Sequence, residues 1–238
     1  MTTAELLAQF FGTSASGITI SNKIASGYAS VAGRDVCVIG TVEGTYIDNA
    51  AALALSAQVL DCVKSKPGLP IVMLVDSAGQ EPNRTAEMLG LPIYFGHLLT
   101  CLEVARQAGH KLVTIATGKA IGGAFICYGM FADSIYALDS ASVGLMPVEA
   151  MSAVTKIPVA TLQELSKSLP ALEFGAAPFA LLGGVKAVWP TDGTLPEKLS
   201  AAIDDSTTAD TRAELGKERG GRPQAFDVQQ RVLAETAR

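Results

Sequence analysis

Two segments, "PIVMLVD" (70–76) and "KLVTIAT" (111–117), limit the folds open to this chain more than anything else in it. Each is a nearly unbroken apolar run of strand length, rich in β-branched residues. A strand with one wet face alternates apolar and polar residues. A continuous run belongs to a strand covered on both faces, as in a parallel sheet with helices on its two sides. The intervening stretches agree. Asp48 caps a predicted helix over 49–64, in which Ala51, Leu55, Val59 and Cys62 recur at helical spacing before Lys66-Pro67-Gly68 breaks it. "SAGQEPNRTAEMLG" reads as a polar loop, and a long helix follows over about 91–107, ended by Gly109. Upstream, 1–16 reads as a short helix with a polar tail, and 17–44 as two or three strands, with 36–42 the surest. Downstream come a short helix (124–131), a strand (133–139), helical stretches (147–154, 158–168, 171–183) and a last short strand (184–190). The alternation of strand and helix means α/β with mostly parallel strands. These elements make a domain over 1–190. A charged, Gly-containing C-terminal extension, 191–238, is predicted as a peripheral arm or mobile segment with a closing helix near 225–237.

The chain has 238 residues, enough for one domain with a sizeable core. Only 17% of them are charged against 49% hydrophobic, which predicts a surface partly covered by another subunit. A net charge of −5 argues against nucleic acid as a partner. The start "MTTAELLAQFFGTSASG" has no basic region and carries Glu5, so it does not read as a signal peptide. No apolar run approaches the roughly 20 residues that span a bilayer. A cytoplasmic protein with no membrane partner is expected. Cys37, Cys62, Cys101 and Cys127 form no pair at metal-ligand spacing and read as buried, reduced thiols, so no metal site is expected.

The second apolar run ends in "GKAIGGAF" (118–125). This is not the G-x-G-x-x-G of a dinucleotide fold, and no phosphate-loop motif is present. Two adjacent glycines between a strand and a helix leave main-chain N–H groups unpaired at the helix start, a place for a phosphate or a transient oxyanion. Tight packing of the turn is the other reading. "LVDSAGQ" (74–80) also ends a buried strand in a small-residue stretch, and such strand ends gather at one sheet edge. Two N–H-rich loops there could hold one carbonyl oxygen from both sides. Taken alone, Ser77 suits a cap or turn and Asp76 a structural turn carboxylate. Lys119 suits either a solvated loop or attraction of a carboxylate or phosphate. His97 reads as packing, His110 as a surface residue at a helix end, and Tyr94, Tyr128 and Tyr136 as core or interface.

"IVMLVDSAGQ", "KLVTIATGKAIGGAF" and "FADSIYALDSASVGLMPVEA", in this order over about 35–190, resemble the crotonase-like carboxyltransferase family of acyl-thioester carboxyltransferases and decarboxylases. "SAGQEPNRTAEMLGL" and "LEFGAAPFALLGGVKAVWP" narrow the resemblance to the gamma-subunit branch of the biotin-independent malonate decarboxylases. The resemblance implies a crotonase/ClpP-like superhelix of repeated β-β-α units, in which two loops line an oxyanion hole. Carried over by position, Gly122 and Gly123 with Ala124 make one donor region and Ser77, Ala78 and Gly79 the other. Gly122, Gly123, Ala78 and Gly79 become catalytic candidates, and Ser77, Ala124 and Lys119 substrate-binding candidates. It also implies a homologous beta subunit as partner, with the site between the two chains. The substrate would be a malonyl thioester on the CoA-like prosthetic group of an acyl carrier protein, and the products an acetyl thioester and CO2. Neither biotin nor metal would take part, and no Met-Lys-Met biotin-attachment pattern occurs. Related carboxyltransferases continue Gly-Pro-Glu after their Gly-x-Met stretch. Here Met146-Pro147-Val148-Glu149 lacks that glycine, so Glu149 is not carried over. Which subunit holds the thioester oxygen stays open: this chain could hold the enolate, steady the leaving carboxylate, or do neither. Three rivals remain. One is a serine hydrolase built on Ser77, although no Gly-x-Ser-x-Gly elbow exists. The others are a non-catalytic structural subunit and a biotin-dependent carboxyltransferase half.

Overall fold

A computed structural model describes residues 1–236. The chain opens with α1 (Thr3–Phe11), closed by a capping box in which Glu5 and Thr2 bond each other's main-chain N–H. β1 (Ile18–Ser21), β2 (Ile24–Val31) and β3 (Arg34–Thr41) form an antiparallel meander. Then follow β4 (Thr45–Ile47), α2 (Asn49–Ser65), β5 (Ile71–Gln80), α3 (Arg84–Met88), α4 (Leu91–Gln107), β6 (Leu112–Ile121) and α5 (Gly122–Cys127). β7 (Ser134–Leu138), β8 (Ser142–Gly144), α6 (Val148–Thr155), α7 (Val159–Ser166), α8 (Ala176–Leu181) and β9 (Ala187–Trp189) complete the sheet and its covering. The chain continues into α9 (Leu195–Asp204), α10 (Arg212–Glu218) and α11 (Pro223–Thr236). Residue 237, to which the last helix was expected to extend, lies outside the described residues.

The strand order is β1-β2-β3-β5-β6-β7-β9, and from β3 onward neighbours run parallel. Both faces are covered, as the apolar runs require. Ile71, Met73 and Val75 enter one core with α2, α4 and α5, while Val72 and Leu74 enter a second with α1 and α9. His110 departs from expectation. It is buried, and its Nδ1–H donates to the Leu69 carbonyl at 2.7 Å, which ties the start of β6 to the start of β5.

β5 and β6 each run four residues beyond their apolar stretches, into segments expected as loops. Two short strands not expected from sequence hold these extensions. β4 pairs with the end of β5, and β8 with the end of β6. β5 and β6 therefore each come in two parts, as in the β-β-α repeat implied by the resemblance. The charged stretch after 190 also differs from a peripheral arm. α9 buries Leu195, Leu199, Ala202 and Ile203 against the sheet and α1. Among the described residues no helix is long and apolar enough to cross a membrane.

Candidate active site

The site begins at the bend between the two parts of β5 and β6. Val75 lies opposite Ala116 and Ser77 opposite Ala120, so β6 fits Thr117, Gly118 and Lys119 where β5 has only Asp76. The Asp76 side chain fills that bulge, its Oδ1 accepting the Lys119 N–H at 2.7 Å. Gly118 is needed there, because a Cβ would stand 2.4 Å from the Asp76 carboxyl carbon. Thr41 Oγ1 accepts the Asp76 N–H at 3.2 Å, and the buried Tyr128 hydroxyl donates to the Leu74 carbonyl at 3.0 Å. Burial pushes the Tyr128 phenol well up, so it remains a donor. Asp76 is thus a structural carboxylate.

Past the bend, β6 turns into α5 at Gly122, whose φ of +69° suits glycine. No side chain caps α5. The N–H groups of Gly122, Gly123 and Ala124 therefore begin a helix without intrahelical acceptors. Gly123 faces a recess of about 270 Å3 lined by Gln80, Glu87, Leu91, Phe95 and Cys127 among others. Burial pushes the Cys127 thiol up.

The end of β5 forms the facing wall. Gly79 has a φ of +118°, and a Cβ on it would lie 3.5 Å from the Ile121 carbonyl oxygen, so this residue abuts the β6–α5 joint. The structure thereby brings Ser77, Ala78 and Gly79 beside Gly122, Gly123 and Ala124. The Gly79 N–H, however, donates to Ser77 Oγ at 3.1 Å, and the Ser77 hydroxyl lies 3.3 Å from the Gly79 carbonyl oxygen. Lys119 stands apart. Its exposed side chain leans over Gly44 and does not line the recess. Glu149 lies elsewhere, lining a separate depression with Leu162 and Phe174.

A hydrolase built on Ser77 lacks its base. Ser77 is buried, and its hydroxyl contacts only the Gly79 main chain. His110, bonded to Leu69, sits beyond the opposite end of β5; Leu69 is eight residues from Ser77, or about 26 Å at the usual rise per residue. His97 is exposed on α4, with Nε2 3.6 Å from Cys101 Sγ. Among the described residues no group of three or more His, Cys, Asp or Glu could hold a metal ion. Sequence reasoning missed Gln80, Glu87, Phe95 and Cys127 as recess residues. For Cys127 the i, i+4 spacing from Gly123 was the available signal.

The malonate decarboxylase gamma-subunit family model matches residues 44–236. The chain is 33% identical over 202 residues to the malonyl-S-ACP:biotin-protein carboxyltransferase MADD of Malonomonas rubra, covering 78% of this chain and 68% of that protein. A chain of a Pseudomonas malonate decarboxylase hetero-tetramer solved with coenzyme A superposes with a TM-score of 0.81 at 20% identity, covering 99% of both chains. The transcarboxylase 12S subunit, solved with methylmalonyl-coenzyme A, gives 0.72 at 21% identity over 88% of this chain and 42% of that one. At these identities the two superpositions establish a shared fold, the crotonase-like carboxyltransferase superhelix.

Proposed function

Because the chain belongs to the malonate decarboxylase gamma-subunit family, we propose that it forms one half of a two-chain carboxy-lyase acting on a malonyl thioester. The thioester is carried on the prosthetic group of an acyl carrier protein, and the other half is a homologous beta subunit. The observation that carries this reading is the uncapped start of α5 at the mouth of the recess.

Decarboxylation breaks the bond between the α-carbon and the carboxylate. The electron pair moves into the thioester, CO2 leaves, and negative charge collects on the thioester oxygen. A proton then adds to the α-carbon. The N–H groups of Gly122, Gly123 and Ala124 point where a helix start favours negative charge, and they are fixed before the charge appears. Losing one such donor costs about 3 kcal/mol of activation free energy. Leu91, Pro92, Phe95 and Leu99 make most of the recess apolar, which keeps water from the carboxylate and strengthens these bonds.

The test is CO2 release from malonyl thioester by this chain, by the beta subunit and by the co-expressed pair. Release by the pair alone supports a shared site. Release by this chain alone refutes the two-chain site, and no release by the pair on carrier-bound substrate refutes the assignment.

A second reading, carboxyl transfer to a biotin protein, is favoured by the 33% identity to the Malonomonas rubra enzyme. The same assay separates the two. Decarboxylation by the purified pair that is indifferent to avidin supports direct release of CO2. Dependence on an added biotinylated carrier supports transfer.

A further inference from the structure

We propose that the Gln80 carboxamide is the second oxyanion donor of this site, its Nε2–H bonding the thioester oxygen across from the main-chain N–H groups of α5. The inference rests on the decarboxylase reading and names a residue that reading does not supply. The β5 wall faces the start of α5 across the recess, where a second donor would meet the same oxygen. Gly79 abuts the joint, but its N–H is committed to Ser77 Oγ at 3.1 Å. Gln80, the next residue, ends β5 and lies across the opening from Gly123. A Cβ on Gly123 would stand 2.9 Å from Gln80 Oε1 and 3.8 Å from Nε2. The glycine at 123 thus makes room for this side chain against the first turn of α5.

Three further features favour a donor over packing. Gln80 is exposed at the end of β5, and among the described residues no side-chain hydrogen bond engages its carboxamide, which leaves it free to turn toward a bound thioester. Its last torsion is broad and nearly two-fold, so Oε1 and Nε2 exchange places at little cost and Nε2 can turn toward Gly123. The other recess side chains able to form polar bonds are the Glu87 carboxylate and the Cys127 thiol. Glu87 repels an anion, which places the developing charge on the Gln80 and Gly123 side.

The experiment compares the assembled pair with its Gln80→Leu, Gln80→Asn and Gln80→Glu variants. Three quantities are read: kcat and KM for CO2 release, and deuterium uptake at the α-carbon of the acetyl thioester product in heavy water. That exchange passes through the same enolate without decarboxylation. Gln80→Leu is expected to lower kcat and exchange by about a hundredfold, with KM changed less than about threefold, as for a lost oxyanion donor. Gln80→Glu should fall at least as far, and Gln80→Asn, which keeps an amide on a shorter arm, should fall between. Melting temperature and pair association serve as controls, and Gln80→Met replaces the Leu variant if that one does not assemble. An assembled Leu or Met variant with kcat and exchange within about threefold of the parent overturns the inference and leaves the decarboxylase reading standing. An unmodified pair that releases no CO2 overturns both.

Discussion

At the scale of single residues, two glycines of one motif sit in opposite surroundings, and substitution separates them. A Cβ at Gly118 meets the Asp76 carboxyl carbon at 2.4 Å, and Asp76 is held by the Lys119 N–H and by its own N–H on Thr41. Gly118→Ala must displace that carboxylate and should cost about 2 kcal/mol of stability by urea denaturation, the usual scale of overpacking. Asp76→Ala alone removes the acceptor of the Lys119 N–H, at a smaller cost of about 1 kcal/mol because water reaches that exposed group. The double variant should lose clearly less than the sum, because removing the carboxylate makes room for the methyl group. Strict additivity would mean that the bulge is not held by this contact. Gly123 differs. It is exposed, begins a helix, and a Cβ there meets only the mobile end of Gln80. Gly123→Ala should leave the melting temperature within a few degrees and lower kcat of the pair by about tenfold or more, by crowding the carboxamide and the opening above it. An unchanged kcat would place the oxyanion elsewhere.

At the scale of elements, what was legible in sequence depended on whether one segment carried its own signal. The runs 70–76 and 111–117 did, since burial on both faces leaves no polar position to interrupt them. α2 and α4 did, through Asp48 at one end and Gly109 at the other. The Gly122-Gly123 joint was legible because Gly122 takes a φ of +69°, which few residues other than glycine tolerate. The far halves of β5 and β6 were not, because Ser, Ala and Gly have weak strand preference and their pairing depends on β4 and β8, each three residues long. Gln80 was hidden for the same reason, since its place in the recess depends on a neighbour 43 positions away, Gly123. His110 looked like a helix-end surface residue because nothing local announces Leu69 as its partner. α9 was masked by charge, although Leu195, Leu199, Ala202 and Ile203 fall on one face. Its burial against α1 sets an expectation. Truncation after residue 190 should leave Leu6, Phe10 and Phe11 uncovered and give an insoluble chain. Leu199→Ala should cost about 3 kcal/mol, within the range for a buried leucine. α11 has no buried residue, so truncation after residue 222 should shift the melting temperature by no more than a few degrees. Circular-dichroism melts decide both, and a chain of 190 residues that melts cooperatively at the parent temperature would refute the role given to α9.

At the scale of the whole molecule, the recess has an apolar rim that a lone chain leaves wet. Met88 is 75% exposed, Leu89 60% and Ile93 75%, all beside Glu87 and Leu91, which line the recess. Ile126 and Leu145, 44% and 48% exposed, continue apolar surface past the start of α5. In a chain only 17% charged, this concentration around the candidate site fits a covering subunit better than scattered surface residues do. Covering would also exclude water from a carboxylate in the recess, so the proposed reading links association to catalysis through a rim beside the site. Ile93 separates the two. Because it is exposed, Ile93→Glu should leave the melting temperature of the isolated chain within about 2 °C. In the pair it places a charge against an apolar contact and should weaken association by about thirtyfold or more, measured by sedimentation equilibrium, the scale of a central interface residue. At partner concentrations high enough to restore the complex, kcat should recover, since Ile93 does not itself line the recess. Unchanged affinity would move the interface away from this rim. Weakened affinity without recovery of kcat at saturation would mean that Ile93 shapes the site as well as the contact.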